Sequence, residues 1–247
     1  MDELMNYLKI GFENAKQDEK NLMAQFDHPD YIKHKVVSSF HNVLERKSWY
    51  YLFVEKNLEK AKQCFYLYGK VMEYLCSTIE VDISPGMAQD ATYTLLSDNS
   101  ALITSFGTWR YNDYDKFIKK GETKRIIQLI ATKNDQEAFL VLENFFAKHR
   151  KYPFKEIDGA ILQGILEKDL AKIEENLNIL LTPKNHKRRN GIYPMRKDLL
   201  SFPALGFAKL AWLRGIKVDI DHPLIPKALL PIRPNSEYVD SYDFLKK

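Results

Sequence analysis

The chain has 247 residues, of which 45% are hydrophobic, so it can bury a core of substantial size. Its formal charge is +4, from 37 basic and 33 acidic residues that are interleaved along most of the sequence. Because nucleic-acid-binding proteins concentrate positive charge on one face, this pattern predicts a protein that does not bind nucleic acid.

The sequence also lacks the marks of a membrane or secreted protein. No uninterrupted apolar stretch is as long as the roughly 20 residues that a membrane helix needs. The N-terminal residues Met1-Asp2-Glu3 do not begin a basic and apolar leader. Cys64 and Cys76 fall in one predicted helix and lie too far apart along its axis to form a disulfide. We therefore expect a cytoplasmic protein with two free thiols and no membrane partner.

Scarce glycine and proline, 10 of each, and apolar residues at three- and four-residue spacing predict an all-α fold. In the first half of the chain this spacing predicts helices over residues 3–26, from Tyr31, from Asn57, and from Ser84 to about Leu96. Asparagine at position 57 can cap its helix by accepting from a free backbone N–H group.

The next predicted helix is short, and Asp98 or Asn99 can cap it. The segment 107–115 then breaks the helical pattern with polar and aromatic residues together. It contains four candidate partner-binding residues: Trp109, Arg110, Tyr111 and Asp113. Aromatic residues beside an arginine match the composition of interface hot spots. The same composition also fits a loop held by its own aromatic side chains, and both interpretations remain open.

The second half of the chain is predicted to hold helices over residues 119–132, 135–149, 155–167 and 169–181. The very short joint between the last two indicates antiparallel neighbours. Since no fixed repeat period is present, we predict an irregular multi-helix bundle of antiparallel helical hairpins. The bundle is expected to form a single domain over residues 1–247, with a possible sub-boundary near 182–191.

The segment 182–191 is predicted to be a polar loop, and it carries the densest positive charge in the chain. Its candidate partner-binding residues are Lys187, Arg188 and Arg189, with Lys184 nearby. Such a cluster can contact phosphate or the acidic surface of a partner. A solvated connection between helices would have the same composition, so this alternative also remains open.

Motifs for catalysis and metal binding are absent from the sequence. It has no HExxH motif, no paired CxxC motif and no GxSxG turn, and no glycine-rich phosphate loop. We therefore expect no cofactor and no metal, and the residues alone nominate no catalytic group.

The run from Leu199 to Gly215 is apolar on nearly every side, which predicts a central, buried C-terminal helix. Ser201 is placed to cap its start, and Pro203 falls in the first turn, where its missing N–H costs little. Gly215 can adopt the left-handed conformation that ends a helix.

The helix is predicted to end at Arg214-Gly215-Ile216. A short extended segment follows at residues 218–221 (Val-Asp-Ile-Asp), and then residues 223–230 (Pro-Leu-Ile-Pro-Lys-Ala-Leu-Leu). Over residues 198–231 the succession resembles the C-terminal part of the immunity protein 49 family. The resemblance implies a cytoplasmic antidote that binds a cognate protein toxin and inhibits it by forming a stoichiometric complex. It also implies that the protein is not an enzyme. It transfers no catalytic residue, because the matching positions are apolar or conformational.

Two other functions remain open at this point. A helical-repeat-like scaffold for protein–protein interaction would have the same composition. A helical enzyme with an unrecognised pocket would be recognised by a deep cleft lined with ionisable groups of perturbed pKa. The sequence does not predict the oligomeric state.

Overall fold

The structure, a computed structural model, describes residues 2–78, 86–109, 123–149, 153–190 and 196–246. Within these ranges the regular structure is helical and no β-strand occurs, so the all-α prediction is confirmed.

In chain order the described α-helices are α1 (Asp2–Phe26), α2 (Lys33–Trp49), α3 (Leu58–Thr78), α4 (Gln89–Leu96), α5 (Ser100–Phe106), α6 (Thr123–Ala131), α7 (Asp135–His149), α8 (Pro153–Glu167), α9 (Leu170–Leu181), α10 (Pro183–Asn190), α11 (Arg196–Leu199) and α12 (Phe202–Leu213). A π-helical turn, Tyr50–Val54, follows α2 directly. Short 3₁₀ turns occupy Lys227–Leu229 and Asp243–Leu245.

Side-chain caps fix several helix starts. Asn57, Asn99 and Asp169 each accept a hydrogen bond from the backbone N–H group three residues further on, at 2.8 to 3.0 Å. Each bond satisfies one of the donors that a helix leaves free at its start. The predicted caps Asn57 and Asn99 are therefore confirmed.

The predicted start of the fourth helix differs from the structure. Ser84 and Pro85 lie outside the described residues, and Gly86 has a φ of +70° that no α-helix accommodates. Helix α4 consequently begins only at Gln89. The later start predicted at residue 119 also lies outside the described residues, which resume with α6.

Helix α12 lies at the centre of the fold, as predicted. All residues from Phe202 to Ala211 are buried, and the helix packs against α4, α6, α8 and α9. Its approach to α4 needs a glycine, because a Cβ atom at Gly206 would lie 2.5 Å from Thr92 Oγ1 and 2.6 Å from Met87 Cγ. The apolar run is therefore a packing element.

Both ends of α12 lie where the sequence predicts them, but the side-chain cap predicted at its start does not form. Gly215 has a φ of +80° and donates to Trp212 O at 3.0 Å, and Ile216 N–H donates to Ala211 O at 2.9 Å. These two bonds make a Schellman motif. At the other end, Ser201 Oγ is buried and has no hydrogen-bond partner among the described residues.

The failure of Ser201 as a cap has a local cause. A cap oxygen accepts from the second or third helical N–H group, and the second position is Pro203, which has none. The first N–H group, that of Phe202, instead donates to Asn190 Oδ1 of α10 at 3.2 Å. A side chain from a preceding helix thus stabilises the start of α12.

Helix α10 replaces the predicted loop at 182–191, so that prediction is wrong over Pro183–Asn190. His186 and Asn190, four residues apart, form its buried face. Because these buried residues are polar, the segment has no apolar periodicity that sequence analysis could recognise. Thr182 followed by Pro183 is the one helix-start signal that the segment contains.

The C-terminal segment, residues 231–246, crosses back over the N-terminal helices. Gln63 of α3 exchanges two hydrogen bonds with the Val239 backbone, at 2.7 and 3.2 Å. Tyr66 OH donates to Asp240 Oδ1 at 2.8 Å. This segment therefore completes the packing of α1 to α3.

Candidate partner-binding surface

The structure places Trp109 in the interior. Its side chain is 4% exposed, and its ring meets Phe106 edge-on at a centroid distance of 5.3 Å. The indole N–H donates to Ser105 Oγ at 3.1 Å. Arg110, Tyr111 and Asp113 lie outside the described residues. Trp109 thus anchors the end of α5.

Arg189 is used to hold α10 against α8. Its guanidinium makes a two-point ion pair with the buried Asp158, at 2.9 and 3.0 Å. Burial raises the pKa of Asp158, and the adjacent guanidinium opposes that rise. The pairing gives Arg189 a structural role.

The remaining inward contacts of α10 are polar. Asn190 Nδ2 donates to His186 O at 3.1 Å, while Asn190 Oδ1 accepts from the start of α12. Helix α10 is therefore fixed on two sides, to α8 through Arg189 and to α12 through Asn190.

The opposite side of α10 presents positive charge. Lys184, Lys187 and Arg188 are all exposed and follow the i, i+3, i+4 spacing that places side chains on one helix face. We call these three residues the basic face. In the part of the chain that the structure describes, no carboxylate lies within ion-pair distance of Lys184 or Lys187.

The helix dipole does not account for the whole basic face. Cations in a last turn are stabilised by the negative C-terminal end of the dipole, which suits Lys187 and Arg188. Lys184 lies in the first turn, where the same dipole disfavours a cation. The dipole therefore does not favour Lys184 at this position.

Other charged groups are buried and hold the fold together. Asp98 is shared by two lysines, with Lys62 Nζ 2.6 Å from Oδ2 and Lys209 Nζ 2.6 Å from Oδ1. Lys209 also donates to the carbonyl groups of residues 229–231, at 2.8 to 3.2 Å. Burial lowers the pKa of Lys209 to about 8, although the Asp98 carboxylate raises it.

A second buried pair joins α6 to α4. Lys124 Nζ lies 3.0 Å from both carboxylate oxygens of Asp90. Burial lowers the pKa of Lys124 and lowers that of His41 to about 4, while the Asp90 carboxylate opposes both shifts. Within the described residues, no group of three or more His, Cys, Asp or Glu side chains could hold a metal ion.

A groove of about 700 Å³ lies between α1, α2, α3 and the C-terminal segment. Its carboxylate, Glu19, is bonded by Lys47 Nζ at 2.7 and 2.9 Å and by Tyr242 OH at 2.6 Å. Burial raises the pKa of its thiol, Cys64, to about 12, which keeps the sulfur protonated and unreactive. The groove therefore presents neither an activated nucleophile nor a free acid.

The basic face lies within the part of the chain that is similar to a known family. Residues 128–229 match the family model of immunity protein 49. The resemblance to this family is confirmed. The match begins in α6 and ends at the 3₁₀ turn Lys227–Leu229, so it extends well beyond the 198–231 stretch on which the resemblance was recognised.

No curated protein and no solved structure matches the chain. The described helices include none with the length and apolar character that crossing a membrane requires. The immunity protein 49 match is accordingly the finding on which a functional assignment can rest.

Proposed function

We propose that this protein is a bacterial immunity protein that neutralises a cognate toxin by forming a tight, stoichiometric complex in the cytoplasm. The immunity protein 49 match over residues 128–229 is the observation that carries this proposal. The protein would act by binding alone, covering the active site of the toxin or a neighbouring surface.

The described surface supports a binding role. The two buried lysine clusters are engaged internally, Lys62 and Lys209 with Asp98 and Lys124 with Asp90, and the groove over α3 offers no activated group. The matched segment, in contrast, exposes Lys187 and Arg188 on a helix that is fixed at two points. We propose these two residues as toxin contacts, together with Arg110, Tyr111 and Asp113 of the predicted loop.

Two of the originally predicted site residues take a different role in this proposal. Trp109 is buried, and Arg189 is paired with Asp158, so both would act by positioning their neighbours. Substituting them would weaken binding through altered folding as well as through lost contacts.

Co-expression with the toxin encoded by the adjacent upstream gene tests the proposal. We expect cells producing both proteins to survive, and the two proteins to purify as a complex whose mass exceeds that of the toxin by 28.9 kDa. A toxin from an unlinked locus is the matched control and should still kill. Death of the co-expressing cells, together with no binding to the toxin, would overturn the proposal.

A further inference from the structure

We propose that the groove over α3 is a binding site for an amphipathic carboxylate, a small molecule with an unbranched apolar body and one carboxylate group, as in a medium-chain fatty acid. The groove lies between α1, α2, α3 and the C-terminal segment, outside the residues 128–229 that match immunity protein 49. The inference therefore goes beyond the proposed function and does not depend on it.

The floor of the groove is apolar. Leu44, Cys64 and Leu67 line it and are at most 5% exposed, and the half-buried Met23 lines it as well. Because burial raises the pKa of the Cys64 thiol to about 12, the thiol stays protonated and acts as a small apolar group. Sites for small molecules have volumes of about 300 to 1,000 Å³ and are lined mainly by apolar side chains. The groove, at about 700 Å³, has the size and the lining of such a site.

The charge left over in the groove is positive. Its carboxylate, Glu19, accepts from Lys47 Nζ through both oxygens and from a tyrosine hydroxyl, so it is neutralised within the fold. Lys60 Nζ is paired with Glu55 at 3.0 Å. Lys20 also lines the groove, and no described residue forms an ion pair or a hydrogen bond with its ammonium group. An anionic group is therefore the charge complement of the groove.

Tyr51 supplies a second unused donor. Its side chain lines the groove, and its hydroxyl has no hydrogen-bond partner in the part of the chain that the structure describes. Burial raises the pKa of Tyr51 to about 12, with smaller contributions from Cys64 and from carboxylates that include Glu19, so the hydroxyl keeps its proton. Since Glu19 acts on Tyr51 and directly precedes Lys20 in the chain, both unused donors lie in the neighbourhood of Glu19.

A carboxylate fits these donors better than other polar head groups do. An ammonium group only donates and a carboxylate only accepts, so the two are complementary in charge and in hydrogen bonding. A phosphate would bring nearly two negative charges to a groove with one unpaired lysine among its described lining residues. An amine would add a positive charge beside Lys20, and an alcohol would leave the charge of Lys20 uncompensated.

Isothermal titration of the full chain with octanoate, below its micelle-forming concentration, tests the inference. Octanol and octylammonium carry the same apolar body with a neutral and a positive head group. We expect octanoate to bind about tenfold more tightly than octanol, because it gains hydrogen bonds to a charged group, and octylammonium to bind no more tightly than octanol. From hexanoate to decanoate, each added CH₂ group should raise the affinity about fourfold if the apolar body is buried.

Two substitutions locate the ligand in the groove. Lys20→Gln and Tyr51→Phe should each weaken octanoate binding about threefold to tenfold and leave octanol binding unchanged. Lys9→Gln is the matched control, because Lys9 is another exposed lysine of α1 and does not line the groove; it should change neither affinity. The octanol affinity, with circular dichroism, separates a lost head-group contact from a damaged fold.

Three results would each overturn the inference. The first is that octanoate does not bind at millimolar concentration. The second is that octanoate, octanol and octylammonium bind equally, since the groove would then be an apolar surface without a preference for a carboxylate. The third is that octanoate binds the Lys20→Gln and Tyr51→Phe variants as tightly as the unmodified protein, since its site would then lie elsewhere. None of these results bears on survival of cells that co-express the toxin, so the proposed function is tested separately.

Discussion

Asp98 forms ion pairs with two buried ammonium groups, and its own backbone adopts the uncommon left-handed conformation. Its φ of +58° turns the carboxylate towards Lys62 of α3 and Lys209 of α12. Lys62 also donates to Arg233 O, so the cluster ties the C-terminal segment to two helices. From the sequence, Asp98 is only a possible helix cap. Its partners Lys62 and Lys209 cannot be recognised as buried, because lysines in a helix normally lie on a solvated face. The pairing depends on contacts between residues far apart in the chain.

Replacing Asp98 with asparagine isolates the contribution of its charge. Asparagine tolerates the left-handed backbone, so the Asp98→Asn variant keeps the local fold but leaves two buried ammonium groups without a counter-ion. We expect the free energy of unfolding to fall by about 3 to 5 kcal/mol, measured by urea denaturation. Lys168→Asn is the control, since Lys168 is exposed and has the same φ of +58°. Equal midpoints for the two variants would contradict a structural role for the Asp98 charge.

His41 should make the protein less stable in mild acid. Burial lowers the pKa of its imidazole from 6.5 to about 4, so between these values the unfolded chain binds a proton that the folded chain does not. The free energy of unfolding should therefore fall by about 1 to 3 kcal/mol on account of this residue as the pH drops from 6.5 to 4. His41→Phe keeps a ring against Tyr68 and should remove this part of the pH dependence.

The measurement for His41 is a series of urea denaturations at several pH values. The exposed His28 provides the matched substitution, His28→Phe, which should leave the acid dependence as in the unmodified protein. An unchanged pH profile in His41→Phe would show that the imidazole does not lose its proton on folding.

At the scale of elements, helix ends decide how α12 sits in the fold. The sequence predicted its C-terminal end correctly, because one glycine determines a left-handed residue and the two hydrogen bonds that follow from it. The sequence placed its start correctly, but it predicted neither the hydrogen bond from Asn190 to that start nor helix α10, because both depend on Asn190, whose partners lie on different helices. Local signals were readable in the sequence, and polar contacts between helices were not.

Gly215→Ala should destabilise the end of α12 through the backbone alone. A Cβ atom there would meet nothing within 4 Å, so the cost comes only from the φ of +80°. We expect the free energy of unfolding to fall by about 1 to 2 kcal/mol. Gly11→Ala in α1 is the control, because its Cβ would make ordinary contact with Arg46 at 3.9 Å and alanine favours a helix. Thermal or urea unfolding should show a lower stability for Gly215→Ala and a higher stability for Gly11→Ala.

At the scale of the whole molecule, the C-terminal segment joins the two ends of the chain. Tyr242 OH donates to Glu19 of α1, and Phe244 lies 4.9 Å from Phe26 and 5.4 Å from Phe40 between ring centroids. We propose that residues 1–247 unfold as one unit, in keeping with the single domain predicted from the sequence. The 110–122 segment, which contains most of the predicted loop, lies outside the described residues and leaves that part of the candidate site a prediction.

Ending the chain after Pro231 should disrupt this unit. The truncation uncovers aromatic side chains on α1 and α2 and removes the Arg233 partner of Lys62. We expect the full chain to show coincident unfolding curves by circular dichroism and tryptophan fluorescence, and the truncated chain to unfold earlier and to bind a hydrophobic dye. Tyr242→Phe, which removes only the hydroxyl bonded to Glu19, should retain the coincident curves. A truncated chain with the unfolding midpoint of the full chain would show that α1 to α3 are complete without the segment.

The bond between Tyr242 and Glu19, which joins residues 223 positions apart, also has a consequence for synthesis on the ribosome. Helices α1 to α3 are made first, yet the side chains that cover their aromatic surface are made more than 160 residues later. Contacts of such high sequence separation form late, because closing a long loop costs conformational entropy before the contact can offset it. During synthesis the first three helices therefore keep an apolar surface exposed, where chaperones can bind it, until residues 231–246 have left the exit tunnel.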